Sequence, residues 1–317
     1  MAAMAGLMRH NGARAFLAVL FLVILGAITA PTTVQSASIV GMLPFAAILA
    51  LAAIGQHLVI QQRGLDISVA AIFSFGAMVV TAMQFSDGGV GSTFALICIA
   101  LLAGGVFGLV NGLVVTVLLV PPLIVTIAMN SIVFGLVLFI SGGVSSAVSP
   151  AISAFSLGRT VGIPNPVIAA FILICVVAFV LSKTTLGRRF QVAGLSGAMG
   201  LALGFRVQAL KIGAYVAAGI LFSAAGVLFA GLSDVPSLFA GNDYMLATFA
   251  AYIVGGNSIA GDRGSILATA IGAFFLTFLG QLVVSLGFDT SAQYIIQAII
   301  VLIGVGLPSV AQRLKFA

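Results

Sequence analysis

The sequence carries very little charge, and all of its acidic residues are aspartates. Lys, Arg, Asp and Glu together make up 6% of the 317 residues, and glutamate is absent. Hydrophobic residues make up 62%, with a mean hydropathy of +1.32. Because an ordinary soluble domain is only about half apolar, this composition excludes a soluble protein. It predicts an all-α membrane protein that crosses the bilayer several times.

Groups that could carry chemistry are equally scarce. Cys98 and Cys175 each lie inside a long apolar run without a neighbouring Cys or His, which excludes a metal or redox motif built from closely spaced ligands. The sequence has no phosphate-binding loop of the form Gly-x-x-x-x-Gly-Lys-Ser/Thr and no cluster of nucleophile, base or metal ligands. We therefore expect no enzymatic activity, no metal and no cofactor in this chain.

Polar and Gly/Pro clusters divide the apolar sequence into ten predicted spans within a single transmembrane domain over residues 1–317. A helix crosses the hydrocarbon core with about 20 apolar residues. Val114–Pro122 predicts a re-entrant or interfacial turn, and Ser141–Pro166 is the longest predicted outer segment. The predicted spans are Ala15–Ala30, Ile39–Ile60, Leu65–Gln84, Thr93–Leu113, Leu123–Ile140, Val167–Ser182, Val207–Leu232, Tyr244–Ile259, Gly264–Leu286 and Ser291–Val310.

The charges agree with ten spans and with both termini in the cytoplasm. A net charge of +6 and a pI near 9.9 would suggest nucleic-acid binding in a soluble protein. In a membrane protein, cytoplasmic loops carry the excess of Lys and Arg, so nucleic acid is not expected as a partner. With an inner N-terminus, every basic residue except Arg159 falls on the inner side, and four of the six aspartates fall in outer turns.

No ionised side chain remains deep in the predicted spans. Carriers that are driven by protons or ions usually need an Asp, Glu, His or Arg inside the membrane. His57 lies close to the predicted inner boundary, where we interpret it as a polar interfacial residue. If the chain transports a solute, the energy is therefore expected to come from another protein.

The basic stretch at about residues 183–211 holds five of the twelve Lys and Arg, which predicts a cytoplasmic loop. Ser196 can cap a helix N-terminus and Gly204 can take the left-handed position after its last turn, leaving about two turns between them. Leu195, Met199 and Leu203 then share one face. Such an apolar ridge predicts docking of a soluble partner, and an interfacial helix on the lipid surface is the alternative.

Three motifs give the chain a resemblance to a known family. The segment Gly64-Leu-Asp66-Ile-Ser68-Val resembles the Gly-Ile-Asp-Leu-Ser-Val-Gly signature of the ribose, xylose and arabinose type of permeases of ATP-binding cassette importers. The segment from Thr185 to Gly219, which contains Arg188 and Arg189, resembles the coupling loop of that family. Val254–Ser265 resembles its Gly-Gly-x-Ser-Leu-x-Gly-Gly-Arg-Gly-Ser turn. The motifs occur in the same order over about residues 40 to 310.

The resemblance implies a set of partners. It implies a second permease subunit, identical or different, two cytoplasmic ATPase domains that bind ATP and Mg, and a periplasmic or lipid-anchored sugar-binding protein. It also implies a location in the bacterial inner membrane, surrounded by lipid. The Leu-Asp-Ile-Ser-Val form resembles the sugar branch, so a monosaccharide or related polyol-like solute is the first expectation, with nucleosides or branched-chain amino acids as alternatives.

We assign candidate residues to three roles. The expected ATPase-coupling residues are Leu195, Ser196, Met199, Leu203, Gly204, Arg188 and Arg189. Uncharged polar residues of the spans are candidates for the substrate pathway, although hydrogen bonding between helices is an alternative role for each; they are Asn111, Thr126, Asn130, Thr248, Tyr252, Gln281 and Gln297. Structural turns are expected at Gly64, Asp66, Ser68, Gly255, Gly256, Gly261 and Gly264, with Asp66 and Ser68 capping the third span and Arg63 near that end.

A facilitator or channel that works without an ATPase is the alternative from another class. This alternative predicts transport by the purified chain alone, and it assigns no function to the basic loop. An enzyme that acts within the membrane is the least favoured interpretation because the sequence offers no reacting group.

Overall fold

A computed structural model describes residues 11–83, 90–258, 261, 264–300 and 302, and these residues form a helical bundle. A 3-10 helix, Pro31–Val34, follows the first α-helix. The α-helices are α1 (Asn11–Thr29), α2 (Ser36–Gln61), α3 (Val69–Ala82), α4 (Val90–Thr116), α5 (Pro122–Ser141), α6 (Pro150–Leu157), α7 (Asn165–Lys183), α8 (Thr185–Leu195), α9 (Gly197–Ala202), α10 (Val207–Ser233), α11 (Asn242–Val254) and α12 (Ile266–Ser285), followed by a helix over residues 290–300.

The helices confirm a polytopic all-α architecture. Six of them, α2, α4, α5, α7, α10 and α12, are long and apolar enough to cross a membrane. Helices α1, α3 and α11 coincide with three further predicted spans. Their apolar parts are shorter than those of the six long helices. The last predicted span continues beyond residue 302 and so lies partly outside the described residues. The number of ten spans therefore stays a prediction.

Three segments differ from the sequence prediction. At Val114–Pro122 a re-entrant or interfacial turn was expected; the connection is a short turn without a re-entrant segment, because α4 continues to Thr116 and α5 begins at Pro122. The outer segment Ser141–Pro166 holds α6 and an antiparallel hairpin of β1 (Arg159–Thr160) and β2 (Ile163–Pro164). The first half of the basic loop is the helix α8. These elements were missed because they are short and rich in Gly, Ser or Pro, which hides their periodicity.

Helix α10 lies at the centre of the bundle and packs against α2, α3 and α4. Its contact with α4 is a seam of glycines in which backbone meets backbone. A Cβ atom at Gly219 would overlap the carbonyl oxygen of Gly104, and one at Gly108 would overlap that of Tyr215. Small residues allow this close approach between membrane helices. The glycine-rich fourth span therefore packs closely against a neighbour, as predicted.

Two helices leave most of their surface uncovered by the chain itself. Only 11% of the apolar stretch of α7 and 28% of that of α5 are buried. Phe139 on α5 and Phe171 on α7 are 83% and 65% exposed. Large exposed apolar surfaces on a spanning helix require lipid or another membrane protein as their surroundings. These two helices therefore form part of the outer wall of the described bundle.

Candidate functional site

Helix α9 protrudes from the bundle with its apolar side chains uncovered. The Ser196 hydroxyl accepts a hydrogen bond from the Met199 backbone N–H at 3.2 Å, and Gly204 has φ +75°, which confirms the predicted cap and left-handed stop. Met199 is 52% exposed and Leu203 56%, and Leu201 adds a third exposed apolar side chain. Met199 and Leu203 are four residues apart and are called the α9 ridge below; Leu201 lies two residues from each of them, so the helix places it on a different face.

Leu195 does not belong to the α9 ridge, which corrects the predicted set of three. The helical run breaks at Ser196, whose backbone is extended, so Leu195 is the last residue of α8 and is half-buried. Spacing at i, i+4 and i+8 places residues on one face only if the helix is continuous. The break at the cap residue therefore removes Leu195 from that face.

The turn between α2 and α3 holds the C-terminal half of α8. Gln62 Nε2 donates to the carbonyl oxygen of Phe190 at 2.8 Å. Arg63 donates through Nε to the Gly194 carbonyl oxygen at 3.2 Å and through Nη2 to that of Leu195 at 2.6 Å. Arg63 lies in the turn before the third span, as predicted, and its guanidinium caps the free carbonyl groups at the end of α8, which was not predicted.

The same turn contains a buried polar network. Asp66 Oδ1 accepts hydrogen bonds from the backbone N–H and the hydroxyl of Ser68, and Asn111 Nδ2 donates to Ser68 Oγ at 2.9 Å. Burial raises the pKa of Asp66 to about 6, and the hydrogen bonds from Ser68 act in the opposite direction. Asp66 and Ser68 form this turn just before α3; neither side chain caps a backbone N–H inside the helix. The network links α4 to the turn that holds α8.

The predicted turn between the eighth and ninth spans lies beside the end of α2. Gly256 and Gly261 have φ values of +77° and +80°, and a Cβ atom at Gly255 would come within 2.5 Å of the Ala268 carbonyl oxygen. These glycines therefore confirm a tight turn, of which residues 259–260 and 262–263 lie outside the described residues. A Cβ atom at Gly264 would come within 2.6 Å of the His57 ring.

His57 is fully buried, so the prediction of an interfacial residue is wrong. Its Nδ1 lies 2.8 Å from Thr269 Oγ1, and its ring contacts Tyr252 edge-on with ring centroids 5.2 Å apart. Asn257 completes the group by donating to Thr269 Oγ1 at 3.0 Å and accepting from the Ser265 backbone N–H at 2.8 Å. These contacts hold α2, α11 and α12 together near the turn.

A mainly apolar cleft that also contains polar side chains opens at the opposite end of α2, between α2, α11, α12 and the helix over residues 290–300. It has a volume of 610 Å³. Gln281 Oε1 is buried and accepts no hydrogen bond from the described residues. Tyr294, beside the cleft, donates a hydrogen bond to the Asp243 carboxylate. We call this the outer cleft; its polar and aromatic lining includes Phe45, Phe229, Asp243, Tyr244, Thr277, Gln281, Gln293 and Gln297.

A second cleft, of 810 Å³, lies at the end of the bundle that carries α9. Arg63, Arg206 and Lys211 line it, so its charge is positive. Between the two clefts, every residue of α2 from Ile48 to Gln61 is buried. The described bundle is thus open at both ends and packed between them.

The predicted pathway residues divide into two groups. Gln281 and Gln297 both line the outer cleft. The other five make hydrogen bonds inside the bundle, of which the bond from Asn111 to Ser68 is one. Asn130 accepts from the Ala71 backbone N–H, and Thr126, Thr248 and Tyr252 donate to the backbone carbonyl oxygens of Pro122, Met245 and Ser258.

A comparison with protein families matches residues 38–305 to the family described as the permease component of a branched-chain amino acid transport system. The chain belongs to this permease family. It is 31% identical over 293 residues to a ribose import permease protein of Bacillus subtilis, covering 92% of this chain and 90% of the relative. It is 28% identical over 299 residues to the ribose import permease protein of Escherichia coli K12, covering 92% of both chains.

The permease is also 35% identical over 246 residues to an autoinducer 2 import system permease protein of Yersinia pestis, with 76% of this chain and 68% of the relative covered. No solved structure shows a significant match. The chain is therefore a polytopic membrane permease of an ATP-binding cassette importer, and its relatives support the resemblance inferred from its motifs.

The sequence analysis missed several residues that organise this permease. Gln62 donates a hydrogen bond to Phe190 on α8. Asn257 bonds to Thr269 and to the Ser265 backbone N–H, and Thr269 also lies at hydrogen-bond distance from His57. Gln62 stands in the polar cluster that ends the second span, and Asn257 stands inside the glycine-rich turn. Their positions beside predicted turns were the available signal for a structural role, but their hydrogen-bond partners lie in other segments of the chain.

Proposed function

We propose that this permease is the membrane-spanning subunit of an importer that moves a monosaccharide or a similar polyol-like solute across the bacterial inner membrane. Separate cytoplasmic ATPase subunits bind ATP and Mg and drive alternating access, and this chain contributes no catalytic site. A second permease subunit, identical or different, completes the pathway. A periplasmic or lipid-anchored binding protein delivers the solute.

The α9 ridge is the observation that carries this proposal. Both large apolar side chains of the ridge are exposed on a short helix inside a basic, cytoplasm-type segment. Arg63 and Gln62 connect the preceding helix α8 to the end of α2. A partner that pushed on the ridge would therefore act on α2 through α8. Arg188 and Arg189, both exposed on α8, are proposed to help in this docking.

The outer cleft supports a neutral, hydroxylated solute. Its amide side chains, Gln281, Gln293 and Gln297, can exchange hydrogen bonds with sugar hydroxyl groups, and its aromatic residues can cover an apolar sugar face. The ribose import permeases among the relatives favour the same class. Branched-chain amino acids are the second candidate, because the description of the family names them. Gln281 and Gln297 are the proposed pathway residues.

The docking role is tested by replacing Met199 and Leu203 together with Asp. We expect this variant to fold in the membrane but to lose association with the ATPase subunits, because two charges then replace the apolar contact. The measurement is co-purification of the ATPase with tagged permease. Val161→Asp is the matched control, since Val161 is 95% exposed in the β1–β2 hairpin. Undiminished co-purification with the double variant would contradict the docking role.

A further inference from the structure

An apolar groove runs along the surface of the permease where α7, α8 and α10 meet. It has a volume of 280 Å³. On α10 it extends from Ala209 to Ala217, which corresponds to about 12 Å at the helical rise per residue. One leaflet of the hydrocarbon core is about 15 Å thick. The groove therefore has the length and the surface chemistry of a site for one acyl chain.

A basic cleft continues directly from this groove. The cleft has a volume of 490 Å³ and shares Leu186, Ala209 and Leu210 with the groove as lining residues. Arg189 and Arg206 line it together. The Arg189 guanidinium lies over the Phe205 ring, 5.5 Å from its centroid, which restricts its position. Among the described residues, neither guanidinium forms an ion pair with a carboxylate.

We propose that this continuous surface binds an anionic phospholipid. One acyl chain occupies the apolar groove, and the phosphate group lies between Arg189 and Arg206, which present planar donors that suit phosphate oxygens. Basic pockets between helices at the cytoplasmic face bind the head groups of anionic lipids. The apolar groove continues into the basic cleft, and this combination favours a lipid over a second permease subunit or the ATPase as the occupant. In this proposal Arg189 binds the lipid, and Arg188 stays available for docking of the ATPase. The lipid would connect α8 to α10 beside the coupling segment.

Lipid binding by the purified permease tests this proposal without any ATPase or transported solute, so its failure is distinguishable from failure of the proposed function. The delipidated protein is titrated with phosphatidylglycerol or with phosphatidylcholine of the same acyl chains, and bound lipid is counted by native mass spectrometry. We expect preference for phosphatidylglycerol. Each basic residue near anionic lipid contributes about 1 kcal/mol, so Arg189→Ala and Arg206→Ala should each weaken its binding about fivefold.

Two matched controls separate this site from general charge and general lipid contact. Arg188→Ala removes the same charge from the neighbouring position of α8, outside the groove and cleft, and should leave binding unchanged. Gly213 lines the groove with no atom near its missing side chain, so Gly213→Leu should fill the groove and displace the lipid. Gly135→Leu places the same side chain in equally open space on α5, outside the groove, and should leave lipid binding unchanged.

Several results would overturn the proposal. They are equal binding of the two lipids, an equal loss with Arg188→Ala, unchanged binding with Gly213→Leu, or binding of glycerol phosphate that matches binding of the intact lipid. Exclusion of phosphatidylglycerol from the assembled transporter would show that a protein partner covers the groove instead, and would also overturn it.

Discussion

Gln281 gives the outer cleft a hydrogen-bond acceptor that the described residues leave unpaired. A neutral hydroxylated solute is suited to such a group, because it can donate without bringing charge into the membrane. A buried polar atom without a partner costs about 1–3 kcal/mol.

Gln281→Leu should lower uptake of the transported monosaccharide about tenfold at low solute concentration. The reason is the loss of one hydrogen bond of about 1.4 kcal/mol in the outer cleft. Uptake is measured in membrane vesicles that contain the complete transporter. Gln35→Leu is the control, since Gln35 is exposed and does not line the cleft. Equal uptake by the wild type and Gln281→Leu would remove this residue from the pathway.

Local rules predicted some individual residues correctly, and tertiary contacts decided the others. Ser196 and Gly204 have the predicted capping geometry because it depends only on their own helix ends. The contacts of Arg63 and His57 were not predicted because their partners, Leu195 and Thr269, lie more than 130 residues away in the chain. A single sequence does not show which distant residues contact each other in the fold.

Among the elements, α8 is the one that changes the interpretation of the basic loop. Thr184 caps it by accepting a hydrogen bond from the Gly187 backbone N–H at 3.1 Å, and Phe190 is buried against the bundle. Its glycines and arginines concealed this amphipathic character. The part of the predicted basic loop that precedes α9 is therefore a second helix, and α2 is linked to that helix through Arg63 and Gln62.

Arg63→Gly should loosen α8 without adding backbone strain, because Arg63 has φ +61° and glycine accepts that conformation. Hydrogen bonds from a charged donor contribute about 1.5–3 kcal/mol, so local opening of α8 should increase at least tenfold. The measurement is the rate of trypsin cleavage after Arg188 and Arg189 in detergent. Arg159→Ala, in the β1–β2 hairpin, is the control. Identical cleavage rates would show that these contacts do not restrain α8.

For the molecule as a whole, the membrane topology is predicted from the positions of the basic residues together with the number of spans. The composition and apolar runs predicted the class and all the long helices, because hydrophobic length is a local property. They did not predict which helix lies at the centre, since α10 is no more apolar than its neighbours. Its central position depends on glycines that match those of α4.

The proposed orientation places α9 in the cytoplasm and the β1–β2 hairpin outside. Cysteine substitutions at Thr160 and Ala202, both exposed, test it in a variant whose Cys98 and Cys175 are replaced by Ala. A membrane-impermeant maleimide applied to spheroplasts should label Thr160→Cys and not Ala202→Cys, whereas both should react after lysis. Labelling of Ala202→Cys in unbroken spheroplasts would reverse the orientation.

The glycine seam between α4 and α10 limits how this permease can move. Interlocked backbones have no side chains to rearrange, so these two helices can neither slide nor separate without losing contact along their shared length. We therefore expect the pair to move as one rigid body during each transport cycle. Opening and closing of the outer cleft would then involve the other helices that line it, α2, α11 and α12.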